Sequence, residues 1–174
     1  MMHFNLPFSK ADLCSLRAGD EVLISGTVYT ARDQAHKRLC AAIDAGEPLK
    51  VDLRGAVLYY TGPSPARPGR ICGSAGPTTS SRMDKFTPKL LRATGLFAMI
   101  GKGSRNDEVI QAMRETGSVY FAAAGGAGAY LAKCITGVKI ICYEDLGTEA
   151  IRELTVKDFP LITAIDSYGG SLYS

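Results

Sequence analysis

The chain alternates between segments typical of β-strands and segments typical of helices. Five apolar segments rich in β-branched residues have strand character, at residues 21–31, 49–62, 95–101, 118–126 and 138–145. Helical patterns occupy residues 33–45, 104–117 and 128–137. Strands that alternate with helices of this length are typical of α/β proteins. The sequence therefore predicts an α/β fold with a mixed, partly parallel sheet flanked by helices.

Two of the helical segments also carry start and stop signals. The apolar residues of segment 33–45 fall on one helical face, and Gly46 ends the pattern. In the second segment, Ser104 is the predicted N-cap, with Asp107 three residues later and Gly117 just past the last turn.

Composition limits the classes of protein to consider. The 174 residues carry a net charge of +3, and 46% of them are hydrophobic. We expect one globular domain, residues 1–174, with terminal extensions at residues 1–10 and 167–174. The basic residues are spread along the chain, which argues against nucleic-acid binding. No apolar run approaches about 20 residues and the first residues do not resemble a signal peptide, so a cytoplasmic location is expected.

The cysteines argue against a metal site held by this chain alone. There are five, at irregular and wide spacings, and none forms a CxxC pair. Zinc and iron–sulfur sites within one chain usually contain such a close pair. We expect reduced, mostly buried thiols, including Cys72, and no metal ligands.

Three segments place a cation beside glycine or hydroxyl residues. Arg32 stands where a strand meets a helix, Arg82 follows the hydroxyl-rich stretch that contains Thr78 and Thr79, and Lys102 stands between two glycines after a strand. Strand ends followed by helix starts are where α/β sheets bind ligands. If these strand ends face one way, the three cations converge on one pocket suited to a small carboxylate or phosphate.

Each of these residues also has a structural interpretation. Thr79 or Ser81 could simply cap a helix that starts near Arg82. Arg32 could pair with Asp33 at the surface, and His36, on the same helical face, could be a structural histidine.

The glycine-rich segments do not match nucleotide-binding motifs. The "GKG" at residues 101–103 lacks P-loop spacing. Gly125, Gly126 and Gly128 invite a dinucleotide interpretation, but the GxGxxG pattern is not met, and close packing of a strand on a helix is the favoured explanation.

Several segments together resemble one known family. In chain order they are "SGTVYTARDQAHKR", "YYTGPSPARPG", "GPTTSSRMD", "GKG" and "AAGGAGAYLA". They resemble the β subunit of class I, iron–sulfur fumarate hydratases, and the related L-tartrate dehydratase β subunit has similar segments. The resemblance extends over nearly the whole chain.

The resemblance implies a fold, a reaction and a partner. The fold would be a single swivelling β/β/α-type domain, and the reaction the reversible hydration of fumarate to L-malate. A 4Fe-4S cluster would be carried by a partner α subunit, in an α2β2 assembly, with this chain closing over it.

The resemblance also implies roles for individual residues. Arg32, Arg82 and Lys102 would hold the substrate carboxylates. Thr78 would be the catalytic base and Thr79 a neighbouring substrate-binding residue. Asp33 and His36 would have supporting roles.

Two alternatives remain open. The substrate could be L-tartrate or a related, methylated dicarboxylate. The chain could instead be a non-catalytic dicarboxylate-binding or assembly module that uses the same cations.

Overall fold

The computed structural model of the chain describes residues 1–123 and 127–173. Seven strands lie in one sheet: β1 (Met2–Asn5), β2 (Glu21–Thr30), β3 (Val57–Tyr59), β4 (Ala98–Gly101), β5 (Val119–Ala122), β6 (Ile135–Cys142) and β7 (Ile151–Ile165). Five α-helices accompany them: α1 (Lys10–Ser15), α2 (Asp33–Asp44), α3 (Thr87–Thr94), α4 (Asp107–Thr116) and α5 (Gly128–Lys133). A 3-10 helix spans Ser80–Met83. The predicted α/β fold, with a mixed and partly parallel sheet, is confirmed.

The strand pairings close into a ring. Strands β2, β3, β4 and β5 are parallel neighbours in that order. The long strand β7 runs antiparallel and pairs with both β5 and β2, which joins the two ends of the parallel set. Strand β1 pairs with β2 alone and β6 with β7 alone, so these two are the outer strands of the sheet.

The side chains alternate between two apolar cores. On one face of the sheet, Val57 and Tyr59 pack with residues from β2, β4, β5 and β7. On the other face, Leu58 and Tyr60 pack with the buried residues of α2, α3 and α4. This alternation follows from the two-residue period of a strand. Helices α2, α3 and α4 therefore cover one face of the sheet, whereas α1 and α5 contribute Leu13 and Leu131 to the core on the other face.

The helices begin and end at recognisable caps. Helix α2 follows β2 directly, and its bounds agree with the predicted segment within one residue. Helix α4 begins later than predicted, because the side chain of Asn106, and not that of Ser104, accepts the capping hydrogen bond from the Val109 amide. Gly117 ends α4 in a left-handed conformation, as its position predicts.

Other differences from the sequence-based expectations concern length and completeness. The strand expected over residues 49–62 is reduced to Val57–Tyr59, and the expected segment 138–145 begins earlier, at Ile135. Strand β7, the longest of the described strands, was not predicted. Both segments expected to be terminal extensions make contacts with the sheet: residues 2–5 form β1, which pairs with β2, and the Leu172 amide donates to the carbonyl of Ala164 in β7.

Among the described helices, none has the length and apolar character needed to cross a lipid bilayer.

Candidate functional site

The candidate site lies where the parallel strands β2, β3 and β4 end. Arg32 follows β2 after one residue, and Lys102 follows β4 directly. The loop after β3 carries Thr78 and Thr79 and leads into the 3-10 helix that carries Arg82. The carboxyl ends of neighbouring parallel strands meet at one edge of a sheet, which explains why segments distant in sequence come together here.

Backbone hydrogen bonds attach the loop after β3 to its neighbours. The Thr78 amide donates to the carbonyl of Tyr60, at 2.8 Å, just past the end of β3. Thr79 forms an isolated parallel bridge with Lys102, and the Ser80 amide donates to the Lys102 carbonyl at 2.9 Å. The loop thus behaves as a short extension of the sheet and holds Thr78 and Thr79 beside Lys102.

The side chains of Asp33, Arg82 and Thr78 form a connected group. Arg82 donates to both carboxylate oxygens of Asp33, through Nε at 2.9 Å and Nη2 at 3.0 Å. The same Nη2 also donates to the Thr78 hydroxyl, at 2.9 Å. A two-pronged ion pair of this kind fixes the plane of the guanidinium. Arg82 is therefore held in one orientation, with Nη2 directed at Thr78.

The charges around Asp33 keep it ionised. Partial burial acts to raise the pKa of this carboxyl, but the hydrogen bonds from Arg82 and the positive charges of Arg82 and Arg32 outweigh burial and hold the pKa below its usual value. Asp33 therefore partly neutralises Arg82. It also lies 3.9 Å from Nε of Arg32, so it is close to two of the predicted cations.

The Arg32 side chain packs closely against Gly62 in the loop after β3. A side chain on Gly62 would place its Cβ 3.1 Å from Cδ and 3.3 Å from Nη1 of Arg32. Within residues 1–123 and 127–173, the buried Nε of Arg32 has no hydrogen-bond partner. A buried donor in this state is costly unless an acceptor is supplied. The Arg32 guanidinium therefore has unused capacity for an anionic ligand.

His36 lies beneath the site and not in it. The side chain is completely buried, and its Nδ1 is 2.8 Å from the carbonyl of Arg32, so Nδ1 must carry the proton that is donated. The ring packs against Tyr60 and Phe86. Burial lowers the pKa of His36 to about 4. His36 is therefore neutral near pH 7, and it fixes the backbone at the start of α2.

Lys102 stands at the exposed side of the site. It forms no ion pair with any described residue, in contrast to Arg82. The preceding residue, Gly101, is packed so closely that an added Cβ would lie 1.9 Å from the Ser80 hydroxyl. The absence of a side chain on Gly101 therefore allows the Ser80 segment to lie against the end of β4.

A buried ion pair beneath the site was missed from the sequence. Nε of Arg105 donates to Asp84 at 2.7 Å, and both side chains are almost fully buried. Asp84 is the last residue of the segment "GPTTSSRMD" but was given no role, and the polar segment around Arg105 resembles an ordinary solvated helix start. The single available signal was its position, three residues after Lys102.

The glycine-rich segment and the cysteines add no metal ligands to the site. Gly125 and Gly126 lie outside the described residues, and Gly128, the first residue of α5, packs against Gly76 in the loop after β3 and not against a strand as expected. The five cysteines are free thiols, and the pKa of the half-buried Cys72 is raised by burial. No group of three or more His, Cys, Asp or Glu residues with metal-site geometry occurs in the part of the chain described by the structure.

The arrangement suits a small ligand with carboxylate groups. Arg32, Arg82 and Lys102 are linked through a short series of contacts that runs from Asp33 to Thr78 and Thr79. Guanidinium groups bind carboxylates in a fixed geometry, and fixed cations stabilise negative charge as it develops. A threonine hydroxyl stands beside one of these cations, where a proton could be transferred.

Comparison with known proteins gives consistent relatives. A protein of Methanocaldococcus jannaschii, provisionally named L(+)-tartrate dehydratase subunit beta, is 38% identical over 170 residues, 95% of this chain and 87% of that protein. The aerobic class I fumarate hydratase of Escherichia coli K12 is 34% identical over 164 residues, 94% of this chain and 30% of that protein. Fumarate hydratase 2 of Leishmania major is 34% identical over 166 residues, 95% of this chain and 29% of that protein.

The chain spans less than a third of each of these two fumarate hydratases. Residues 2–174 match the protein family described as Fumarase C-terminus. The chain therefore belongs to the Fumarase C-terminus family.

Proposed function

We propose that the chain is the β subunit of a hydro-lyase that interconverts fumarate and L-malate together with a partner α subunit. The observation that carries the proposal is the Asp33–Arg82–Thr78 group, which places an oriented guanidinium and a hydroxyl beside Arg32 and Lys102. The family supports hydro-lyase chemistry generally, since its members here are a dehydratase subunit and hydratases.

The three cations would hold the two carboxylates of the substrate. Nε of Arg32 has no hydrogen-bond partner among the described residues, with an Asp33 oxygen no nearer than 3.9 Å, and Lys102 has no ion pair with them, so both can bind a carboxylate without losing a hydrogen bond or ion pair of ordinary length. Arg82 would use the edge of its guanidinium that Asp33 does not occupy. Thr79, next to Lys102, would add a hydroxyl donor.

Thr78 would exchange the proton at the carbon next to a carboxylate. In dehydration of malate, the ionised Thr78 oxygen would take a proton from this carbon and become a neutral hydroxyl, and the electron pair left behind would form the double bond as hydroxide departs from the neighbouring carbon. The Thr78 proton is afterwards released, so that proton and hydroxide leave together as water. A threonine hydroxyl is a very weak base in water, so its ionised form needs a nearby cation. The Nη2 hydrogen bond from Arg82 supplies one at 2.9 Å, and it stabilises the ionised oxygen more than the neutral hydroxyl.

Departure of hydroxide would be assisted from the partner's side. The cysteines of this chain are dispersed and do not fit a 4Fe-4S cluster, so the proposal assigns the cluster to the α subunit and gives no residue of this chain a role in holding it.

L-tartrate is the second candidate substrate. It is favoured by the relative provisionally named as a tartrate dehydratase subunit, whose length this chain nearly spans. L-malate and L-tartrate differ by one hydroxyl, and the three cations of this site could bind the carboxylates of either.

The experiment combines the chain with its cluster-bearing partner, reconstituted without oxygen. Fumarate, L-tartrate and a methylated dicarboxylate are assayed in parallel, first with the wild-type chain and then with Thr78→Ala. Activity on fumarate that is lost in Thr78→Ala supports the proposal. Activity on tartrate alone would replace fumarate as the substrate. Dicarboxylate binding by the chain without any activity would favour a non-catalytic binding module.

Thr78→Ala also tests the role of the hydroxyl. As the base, Thr78 is required for turnover, so we expect kcat to fall by about 100-fold or more. A raised KM with unchanged kcat would show that Thr78 binds substrate and is not the base.

A further inference from the structure

Two loops of the candidate site are joined to each other by a buried polar network. The first loop, residues 78–84, contains Thr78, Thr79 and Arg82, and the second loop, residues 101–106, contains Lys102. The N-terminal ends of the two loops are joined by the Thr79–Lys102 bridge and by the hydrogen bond from the Ser80 amide to the Lys102 carbonyl.

The C-terminal ends of the same loops are joined by an ion pair. Asp84 follows the 3-10 helix and accepts from Nε of Arg105 at 2.7 Å. The second oxygen of Asp84 accepts from the Asn106 amide at 2.9 Å. One carboxylate of the first loop therefore binds two successive residues of the second.

Arg105 also contacts the surrounding framework. Its Nη2 donates to the hydroxyls of Thr87, at 2.9 Å, and Tyr60, at 3.2 Å. The guanidinium lies over the rings of Tyr60 and Tyr120, at 5.2 and 4.8 Å from their centres. It is thus fixed in position by Thr87 of α3, by Tyr60 just after β3 and by Tyr120 of β5.

Tyr120 forms a third connection between the loops. Its hydroxyl lies 2.7 Å from the Ser80 hydroxyl and donates to the Gly103 carbonyl, also at 2.7 Å. Together with the Arg105–Asp84 pair, this bond connects the segment that carries Arg82 to the segment that carries Lys102.

We propose that Arg105, through Asp84, is a positioning residue that sets the spacing between the Thr78–Arg82 segment and Lys102. A buried ion pair is weak evidence for stability, because apolar residues of similar size often replace one at little cost. Its geometry can nevertheless matter, since a displacement of about 1 Å at a reacting centre can cost about 100-fold in rate. Replacing the pair by apolar residues should therefore change the geometry of the site more than the stability of the fold.

The test uses the double variant Arg105→Met with Asp84→Leu, which removes both charges and leaves none unpaired. The matched control is Arg92→Gln with Glu115→Gln, which removes an exposed ion pair between α3 and α4. Hydrogen exchange is measured on the full chain without its partner, in peptides covering residues 78–84 and 101–106. We expect exchange there to be at least about tenfold faster in the double variant, with a melting temperature close to that of the wild type.

The activity measurement rests on the proposed function and uses the chain with its partner. We expect kcat to fall about 10- to 100-fold in the double variant and to be unchanged in the control. If the wild-type chain hydrates no dicarboxylate, the proposed function fails, and the exchange measurement still decides the role of the pair.

A folded double variant with wild-type exchange in both loops would overturn the proposal. If the double variant does not fold, Arg105→Lys replaces it, because lysine keeps the buried charge but loses the planar fork that donates to Asp84, Thr87 and Tyr60 together. Faster exchange confined to the two loops in Arg105→Lys supports the proposal, and wild-type exchange there refutes it.

Discussion

Replacing Gly101 by Ala tests the close packing between β4 and the 3-10 helix. An added Cβ would lie 1.9 Å from the Ser80 hydroxyl oxygen, 2.9 Å from Cδ2 of Tyr60 and 3.3 Å from Cβ of Ser80. The backbone of Gly101 is not left-handed, so the whole cost of the substitution is steric. The Ser80 oxygen would have to move by at least about 1 Å to restore normal contact.

The size of the effect follows from these contacts. Overpacking of a buried site costs about 1–3 kcal/mol, and loss of the Ser80–Tyr120 hydrogen bond adds about 1 kcal/mol. For a chain of this length, a total of about 2–4 kcal/mol lowers the melting temperature by about 5–15 °C. Thermal unfolding followed by circular dichroism measures the change, and urea unfolding gives the free energy.

Gly137→Ala is the matched control. Its backbone is also not left-handed, and the nearest atom to an added Cβ is the Thr155 hydroxyl oxygen at 3.4 Å, an ordinary contact. Ser80→Ala should partly rescue Gly101→Ala, because it removes the closest clashing atom, so the two substitutions should not be additive. A loss in Gly101→Ala no larger than in Gly137→Ala would refute the steric reasoning.

Three further predictions concern charge. The pKa of His36 is about 4 in the folded state and near 6.5 in the unfolded state, so the unfolded state binds a proton first as the pH falls. The free energy of unfolding should therefore decrease by about 3 kcal/mol between pH 6.5 and pH 4. His36→Phe should flatten this slope in urea unfolding and the exposed His3→Gln should not; an unchanged slope in His36→Phe would contradict the assignment. Asp33→Asn should lower kcat/KM about tenfold, because Arg82 is no longer held in one orientation. The control, Asp145→Asn, breaks a similar two-pronged pair with Arg38 and should leave kcat/KM unchanged, so equal effects of the two variants would reject a specific role for Asp33. Asp166 accepts hydrogen bonds from the amides of Ala18, Tyr168 and Gly170, so Asp166→Ala should lower the free energy of unfolding by about 2–4 kcal/mol. The last residues of this variant should be digested faster by carboxypeptidase, and digestion at the wild-type rate would contradict the prediction.

The parts of the fold that the sequence predicted have strong local patterns. Strand β2 carries five β-branched residues in ten, with an irregularity at Gly26, and α2 has one apolar face and a clear end. Strand β7 was missed because Asp158, in a left-handed conformation, and Pro160 interrupt its alternation. Helix α3 carried usable signals, Pro88 in its first turn and Gly95 after its end, but it is only two turns long.

The site could be predicted as a set of segments but not as a set of bonds. Strand ends in a parallel sheet identify which loops meet, and this brought Arg32, Lys102 and the threonine loop together. The pairing of Arg82 with Asp33 joins residues 49 positions apart, and no local pattern contains that information. The burial of Arg105 was equally hidden, because it depends on tertiary packing against Tyr60 and Tyr120.

Closure of the ring has a consequence for aggregation of the chain. Strands β2 to β5 and β7 have neighbours on both sides, so β6 is the longest described strand with an open row of backbone donors and acceptors. Its sequence, ITGVKIIC, is strongly β-forming, and the side chain of Ile140 is 43% exposed. An open edge of this kind can template strand addition between copies, and a charged side chain on it opposes such contact. Lys139 is the single charged residue within β6, so it is the one charge of this strand that opposes strand addition between copies.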